Sequence, residues 1–145
     1  MIKTILLLLI NFMLILIVNG DIWNYCDGNI NPTFKINKLT LLPDPPLVGK
    51  EVTISLEGSL NEQITSGSSI FNVAFFINGG WRQLPTFHND ICKVLSCPVS
   101  AGPFTYSTSI KVPIFTPHGQ YKGQLTLTDQ SNRNVTCLTF QTYLK

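Results

Sequence analysis

The chain has 145 residues, 10 of them lysine or arginine against 8 aspartates and glutamates, for a formal net charge of +2. Only 12% of it is charged, a balance that excludes a polyanion binder and with it nucleic acid as a partner. The 4 cysteines and 9 prolines mark a loop-punctuated chain that uses disulfides.

In chain order, Met1-Ile2-Lys3 precedes an apolar run from Ile5 to Val18 broken only by Asn11, and Asn19-Gly20 follows. Lys3 supplies the positive start, and the small residues Val18 and Gly20 fit the positions flanking a leader-peptidase cut. The run is shorter than the roughly 20 residues a bilayer-spanning helix needs. Residues 1–20 therefore read as a secretory leader cleaved after Gly20, and residues 21–145 as one mature domain. Its destination is the cell exterior or the endolysosomal lumen.

The mature segment reads as strands. After Cys26-Asp27-Gly28, an apolar-rich run covers 34–41, and Pro43-Asp44-Pro45-Pro46 stops it. Glu51 to Glu57 alternates polar and apolar with period two, the pattern of a half-buried strand. Ser66-Gly67-Ser68-Ser69 punctuates, then Phe71, Val73, Phe75 and Ile77 form one face of the next strand, which Gly79-Gly80 ends. Phe104, Tyr106, Thr108, Ile110 and Val112 share a face further on, and Tyr121, Leu125 and Leu127 share another. Pro117-His118-Gly119 and Asp129 to Asn132 are turns, and 135–144 is the last run. No segment has a capped helical period. These elements predict an all-β, immunoglobulin-like β-sandwich of about seven strands. Asn134-Val135-Thr136 is an N-glycosylation acceptor, whereas Pro32 blocks the triplet at Asn31.

A true immunoglobulin domain has a mid-domain bridge with a tryptophan between its cysteines. Here Cys26 lies near the start and Cys137 near the end, with Cys92 and Cys97 close together. Four cysteines allow three connectivities. Pairing Cys92 with Cys97 closes a small loop and leaves Cys26 with Cys137; the alternatives split the close pair toward opposite ends of the fold.

An ordered set of residues carries a family resemblance: Cys26-Asp27-Gly28, Cys92-Lys93-Val94-Leu95-Ser96-Cys97-Pro98, Thr105-Tyr106-Ser107, Lys111-Val112-Pro113-Ile114 and Cys137. With the leader, the set resembles the ML lipid-recognition family. That group contains the secreted Niemann–Pick type C sterol carriers and the phosphatidylglycerol/phosphatidylinositol transfer proteins. The resemblance covers nearly the whole mature chain and implies two sheets parted around an apolar pocket for lipid. It implies a lipid-binding set of Leu84, Pro85, Ile114 and Phe115 at the pocket mouth, with Phe75 and Tyr106 on the strands. Many relatives carry a further bridge between the first two strands, but the segment Leu41 to Leu47 has no cysteine. His118-Gly119 stands where sterol carriers tend to have an aromatic residue. Both departures bear on the cargo.

Arg82, Lys93, Lys111 and Lys122 lie near segments expected at the rim and are candidates to meet an anionic headgroup or membrane surface. His88, Asp90 and His118 have no nucleophile or metal-ligand spacing around them, and neither Gly-x-Ser-x-Gly nor His-Glu-x-x-His occurs. The reading is a non-enzymatic monomer with no cofactor or metal, in transient contact with membranes. Its ligand is phospholipid; a sterol, or no lipid at all in a sandwich that binds proteins, are the alternatives.

Overall fold

The computed structural model describes residues 22–28 and 31–145. The leader assigned to residues 1–20 lies outside them. Among the described residues are nine strands: β1 (Trp23–Tyr25), β2 (Phe34–Leu42), β3 (Glu51–Leu60), β4 (Gly67–Ile77), β5 (Gly80–Gln83), β6 (Phe87–Asp90), β7 (Gly102–Lys111), β8 (Gly119–Asp129) and β9 (Asn134–Leu144). A short 3-10 helix, η1 (Ile91–Lys93), opens the loop after β6, where the Asp90 carboxylate accepts from the Cys92 N–H at 2.8 Å.

The strands make two antiparallel sheets. The larger runs β1-β9-β8-β4-β5 with β6 also paired to β4, and the smaller runs β2-β3-β7. The long strands are those whose alternation is visible in sequence. The additional β1, β5 and β6 are 3 or 4 residues long, too short to show a period. Asn78 and Gly79, at φ 51° and 75°, supply the left-handed pair that a two-residue hairpin between β4 and β5 requires.

Two irregularities decide which side chains face inward. In β2 the register slips between Ile36 and Lys38, so Phe34 and Ile36 face the same way as Leu39 and Leu41 despite the change of parity. Opposite Leu127/Thr128 the β8–β9 register also slips, which lets both Val135 and Thr136 be buried, at 2% and 1% exposure.

The tightly packed core is Phe34, Leu60, Ile64, Ile91, Val99 and Val135, gathered at one end of the sandwich. The Cys92–Cys97 bridge clips the loop beside it, and Cys26–Cys137 ties β1's exit to β9, each with Cα atoms 5.4 Å apart. At this clip end the Asp129 carboxylate accepts from the N–H groups of Ser131 and Arg133 at 2.8 and 3.0 Å. Arg133 pairs with Asp129 at 2.9 Å and with Glu62, joining the β8–β9 turn to the β3–β4 loop. The sheets meet where β2 approaches β9. There the Ile36 N–H donates to the Tyr25 hydroxyl at 2.7 Å. That flank is sewn together, and β7 is left as the free edge of the smaller sheet.

Candidate functional site

Between the sheets is a cavity of about 310 Å³, at the low end of the roughly 300–1,000 Å³ typical of small-molecule sites. The smaller sheet contributes Ile36, Leu39, Ile54, Leu56, Phe104 and Tyr106 to its wall, and the larger contributes Ser69, Leu125, Leu127 and Leu138. Ile64, Ile91, Val94, Leu95 and Val99 close the clip end. No carboxylate, lysine, arginine or histidine lines it; the polar members are the hydroxyls of Ser69, Tyr106, Thr108 and Thr136.

The alternation that makes these strands directs apolar residues from both sheets into one layer, yet the layer is not filled. Ile54, Leu56, Phe104, Tyr106, Leu125 and Leu127 are all inward-facing but only half-buried. Protein interiors are normally packed to crystal density, and an empty apolar space forfeits dispersion contacts. A hollow of this size lined this way suits an apolar guest and offers water few partners.

On the larger sheet, aromatics occupy the inner face toward the other end. Phe71 stacks on Phe140 at 5.6 Å and Phe75 on Tyr121 at 4.8 Å. The Tyr121 hydroxyl donates to the Pro117 carbonyl at 2.9 Å, and burial pushes the phenol's pKa up.

Of the six expected lipid-binding residues, Tyr106 lines the cavity, and the others lie outside its wall. Phe75 belongs to the aromatic layer. Leu84 and Pro85 are exposed between β5 and β6, with the Leu84 N–H donating to the Val73 carbonyl at 2.8 Å. Ile114 and Phe115 sit in the β7–β8 loop, 80% and 85% exposed. They are not alone there. The same end of the sandwich holds the exposed Leu42, Leu47, Ile110 and Tyr143, because β2, β7 and β9 finish there and the 43–50 loop bonds to Val112 and Lys145. Lys50, Lys111 and Lys145 lie at this apolar end, with Glu51 opposite Lys111 across the β3–β7 ladder.

The expected rim cations scatter. Lys111 is at the apolar end, and Lys93 lies beside Val94 at the clip end. Arg82 pairs in register with Phe75, which puts it on the cavity-facing side of the β5 edge. Lys122 lies on the outer face, its Nζ 4.4 Å from the Trp81 ring centroid. His88, Asp90 and His118 are exposed, and among the described residues no three His, Cys, Asp or Glu groups gather to hold a metal.

Most of the wall was not named from sequence. Phe104 and the even positions of β3 carried a period-two signal. Leu39, Val135 and Thr136 did not, because bulges reset their phase. Ile91, Val94 and Leu95 belong to a loop that has no period at all.

The pattern of the ML domain family matches residues 20–144. A Dictyostelium discoideum protein named "Putative phosphatidylglycerol/phosphatidylinositol transfer protein 2" is 34% identical over 138 residues, covering 90% of this chain and 93% of its own. The Aspergillus oryzae "Phosphatidylglycerol/phosphatidylinositol transfer protein" is 28% identical over 116 residues, 79% of this chain and 66% of its own. In fold, the chain is similar to a Niemann–Pick type C2 protein from Japanese carpenter ant, with a TM-score of 0.63 and 16% identity over 85% of this chain and 98% of that one. Chicken MD-1, solved with lipid IVa, gives a TM-score of 0.57 and 20% identity over 83% and 86%. The chain belongs to the ML domain family of non-enzymatic lipid-binding proteins.

Proposed function

We propose that the protein is a soluble carrier that moves phospholipid, phosphatidylglycerol and phosphatidylinositol among them, between membranes along the secretory or endolysosomal route. The observation that carries this reading is the cavity between the sheets, apolar on both walls and free of ionisable side chains apart from the Tyr106 phenol. The relatives' names support the headgroup class.

Each methylene taken from water is worth about 0.8 kcal/mol, so a lipid tail leaves a bilayer only for surroundings equally apolar. The carrier performs no chemistry; it lowers the desolvation barrier while docked. Ile114 and Phe115, with Leu42, Leu47 and Ile110 around them, dip into the lipid surface as an interfacial anchor does. Lys50 and Lys111 meet anionic headgroups beside them. The phosphate stays in water, because burying it unpaired is expensive, and Arg82 on the cavity-facing side of the β5 edge is a cation that could meet it.

Native mass spectrometry of the protein from its own source tests the cargo. A bound phospholipid is expected; a sterol would move the cargo to the other class, and a ligand-free protein would sink the carrier reading. Vesicle-to-vesicle transfer then tests the docking end. Ile114→Asp is expected to reduce transfer of labelled phosphatidylglycerol at least tenfold, since a charge resists insertion by about 1.4 kcal/mol or more. Val94 is the one exposed residue of the cavity wall, at 61%. If Val94→Asp stops transfer and Ile114→Asp does not, the portal is at the clip end instead.

A further inference from the structure

The larger sheet has a second concavity, on the face turned away from the cavity. It is an open groove of about 560 Å³, within the roughly 300–1,000 Å³ of small-molecule sites. Its polar lining is Asn24 of β1, Thr139 and Gln141 of β9, Lys122 and Gln124 of β8, Asn72 of β4 and Gln83 of β5. These residues alternate along their strands with Tyr25, Phe140, Tyr121, Leu125, Phe71 and Val73, so they stand on the outer side. The groove is deep at its middle because Ala74 is the floor there, 6% exposed, while longer side chains rise around it.

The chemistry of this lining is unusual for a solvent-facing sheet, which ordinarily carries mixed charges. Five amides line it, there is no carboxylate, and Lys122 is its single charge. That charge is drawn onto the Trp81 ring, with Nζ 4.4 Å from the centroid. Gln124 donates from Nε2 to Thr126 Oγ1 at 3.4 Å, but much of the other amides' hydrogen-bonding capacity is unspent. Gln83 donates from Nε2 to the Val73 carbonyl at 3.0 Å, leaving its oxygen. Asn72 accepts from Thr86 Oγ1 at 2.8 Å, leaving its nitrogen. The Asn24 and Gln141 side chains make no hydrogen bond among the described residues.

A side-chain amide offers a donor and an acceptor in one plane, which matches adjacent hydroxyls that each donate and accept. An anionic ligand would call for several cations, and a cationic one for carboxylates; the groove has neither set. Ile22 and Ala74 give apolar floor for C–H surface. We infer that this groove binds a neutral oligosaccharide. The saccharide is a separate molecule and not the headgroup of the carried lipid, because the whole sheet stands between groove and cavity. This inference does not depend on the carrier reading.

Isothermal titration of the folded, mature protein with the neutral tetrasaccharides of glucose, mannose, galactose and N-acetylglucosamine tests it. At least one is expected to bind at millimolar concentration or below. Asn24→Ala combined with Gln141→Ala is expected to weaken that binding by about tenfold through the loss of two hydrogen bonds. Its unfolding midpoint and its lipid binding should stay at wild-type values. No heat with any of the four, undiminished binding by the double variant, or tighter binding of a sulfated tetrasaccharide would each overturn the inference.

Discussion

Asp129 shows how one residue holds a turn that the sequence marks only as polar. Burial pushes its carboxyl up, but the N–H groups of Arg133 and Ser131 and the Arg133 guanidinium outweigh that and hold it below the usual carboxylate range. A depressed carboxyl contributes stability above its unfolded value of about 3.9 and loses it as pH falls through the folded value. Stability is therefore expected to hold down to about pH 4 and decline below it. Asp129→Asn should unfold at a lower denaturant midpoint at neutral pH, with the gap to wild type closing in acid. A gap that persists at low pH would refute the assignment. Gly123 illustrates a different constraint. A Cβ there would lie 2.5 Å from the Asn72 carbonyl oxygen and 2.5 Å from Phe140 Cζ. The carbonyl belongs to the neighbouring strand and cannot yield, so Gly123→Ala is expected to destabilise by about 1–3 kcal/mol in equilibrium unfolding.

At the scale of elements, the two bridges act differently. Cys26–Cys137 spans 111 residues of sequence and, in the chain-entropy account, stabilises by about 4–5 kcal/mol. Cys92–Cys97 spans 5 and is worth about 2 kcal/mol in the same account. Its larger consequence is local, since Ile91, Val94 and Leu95 of the clipped loop close the cavity. Replacing both of its cysteines with serine should lower lipid occupancy more than the loss of stability alone accounts for, read by native mass spectrometry at a temperature where the variant is folded. Unchanged occupancy would make the clip merely structural. The β2–β3 connection has no bridge; Pro46 is buried, and the loop bonds instead to Val112 and Lys145. That end therefore depends on backbone hydrogen bonds and not on a covalent link, and it is the end that presents Ile114 and Phe115.

For the whole molecule, the arrangement is a sandwich sewn on the β2 flank and free along β7. A guest in the cavity restores dispersion contacts that the empty space forfeits. Lipid at 100 times its dissociation constant should stabilise by about 2.7 kcal/mol, seen as a rise in unfolding temperature on lipid loading and absent with a headgroup alone. Asn134 is exposed and belongs to the clip end, as the Thr33 hydroxyl contact to its carbonyl indicates. A glycan there points away from the apolar end, so Asn134→Gln is expected to remove a mobility shift and leave vesicle transfer unchanged.

By itself, the sequence determined the all-β class, the long strands and their inward faces, because period-two alternation is a local consequence of the pleat. Cysteine order was enough to favour both pairings, and the ordered motifs named the family. The inward face of Tyr106 was legible for the same local reason. Tertiary structure alone decided that the interior is hollow, since the same alternation describes a filled core and an empty one. It also decided the phase of β2 and β9, where a single slipped residue reverses a face. The loop from Ile91 to Leu95 became a wall, and a row of amides from five strands became a groove, only once distant segments were set side by side. Sequence spacing cannot encode such neighbours, because what joins them is sheet pairing across many residues.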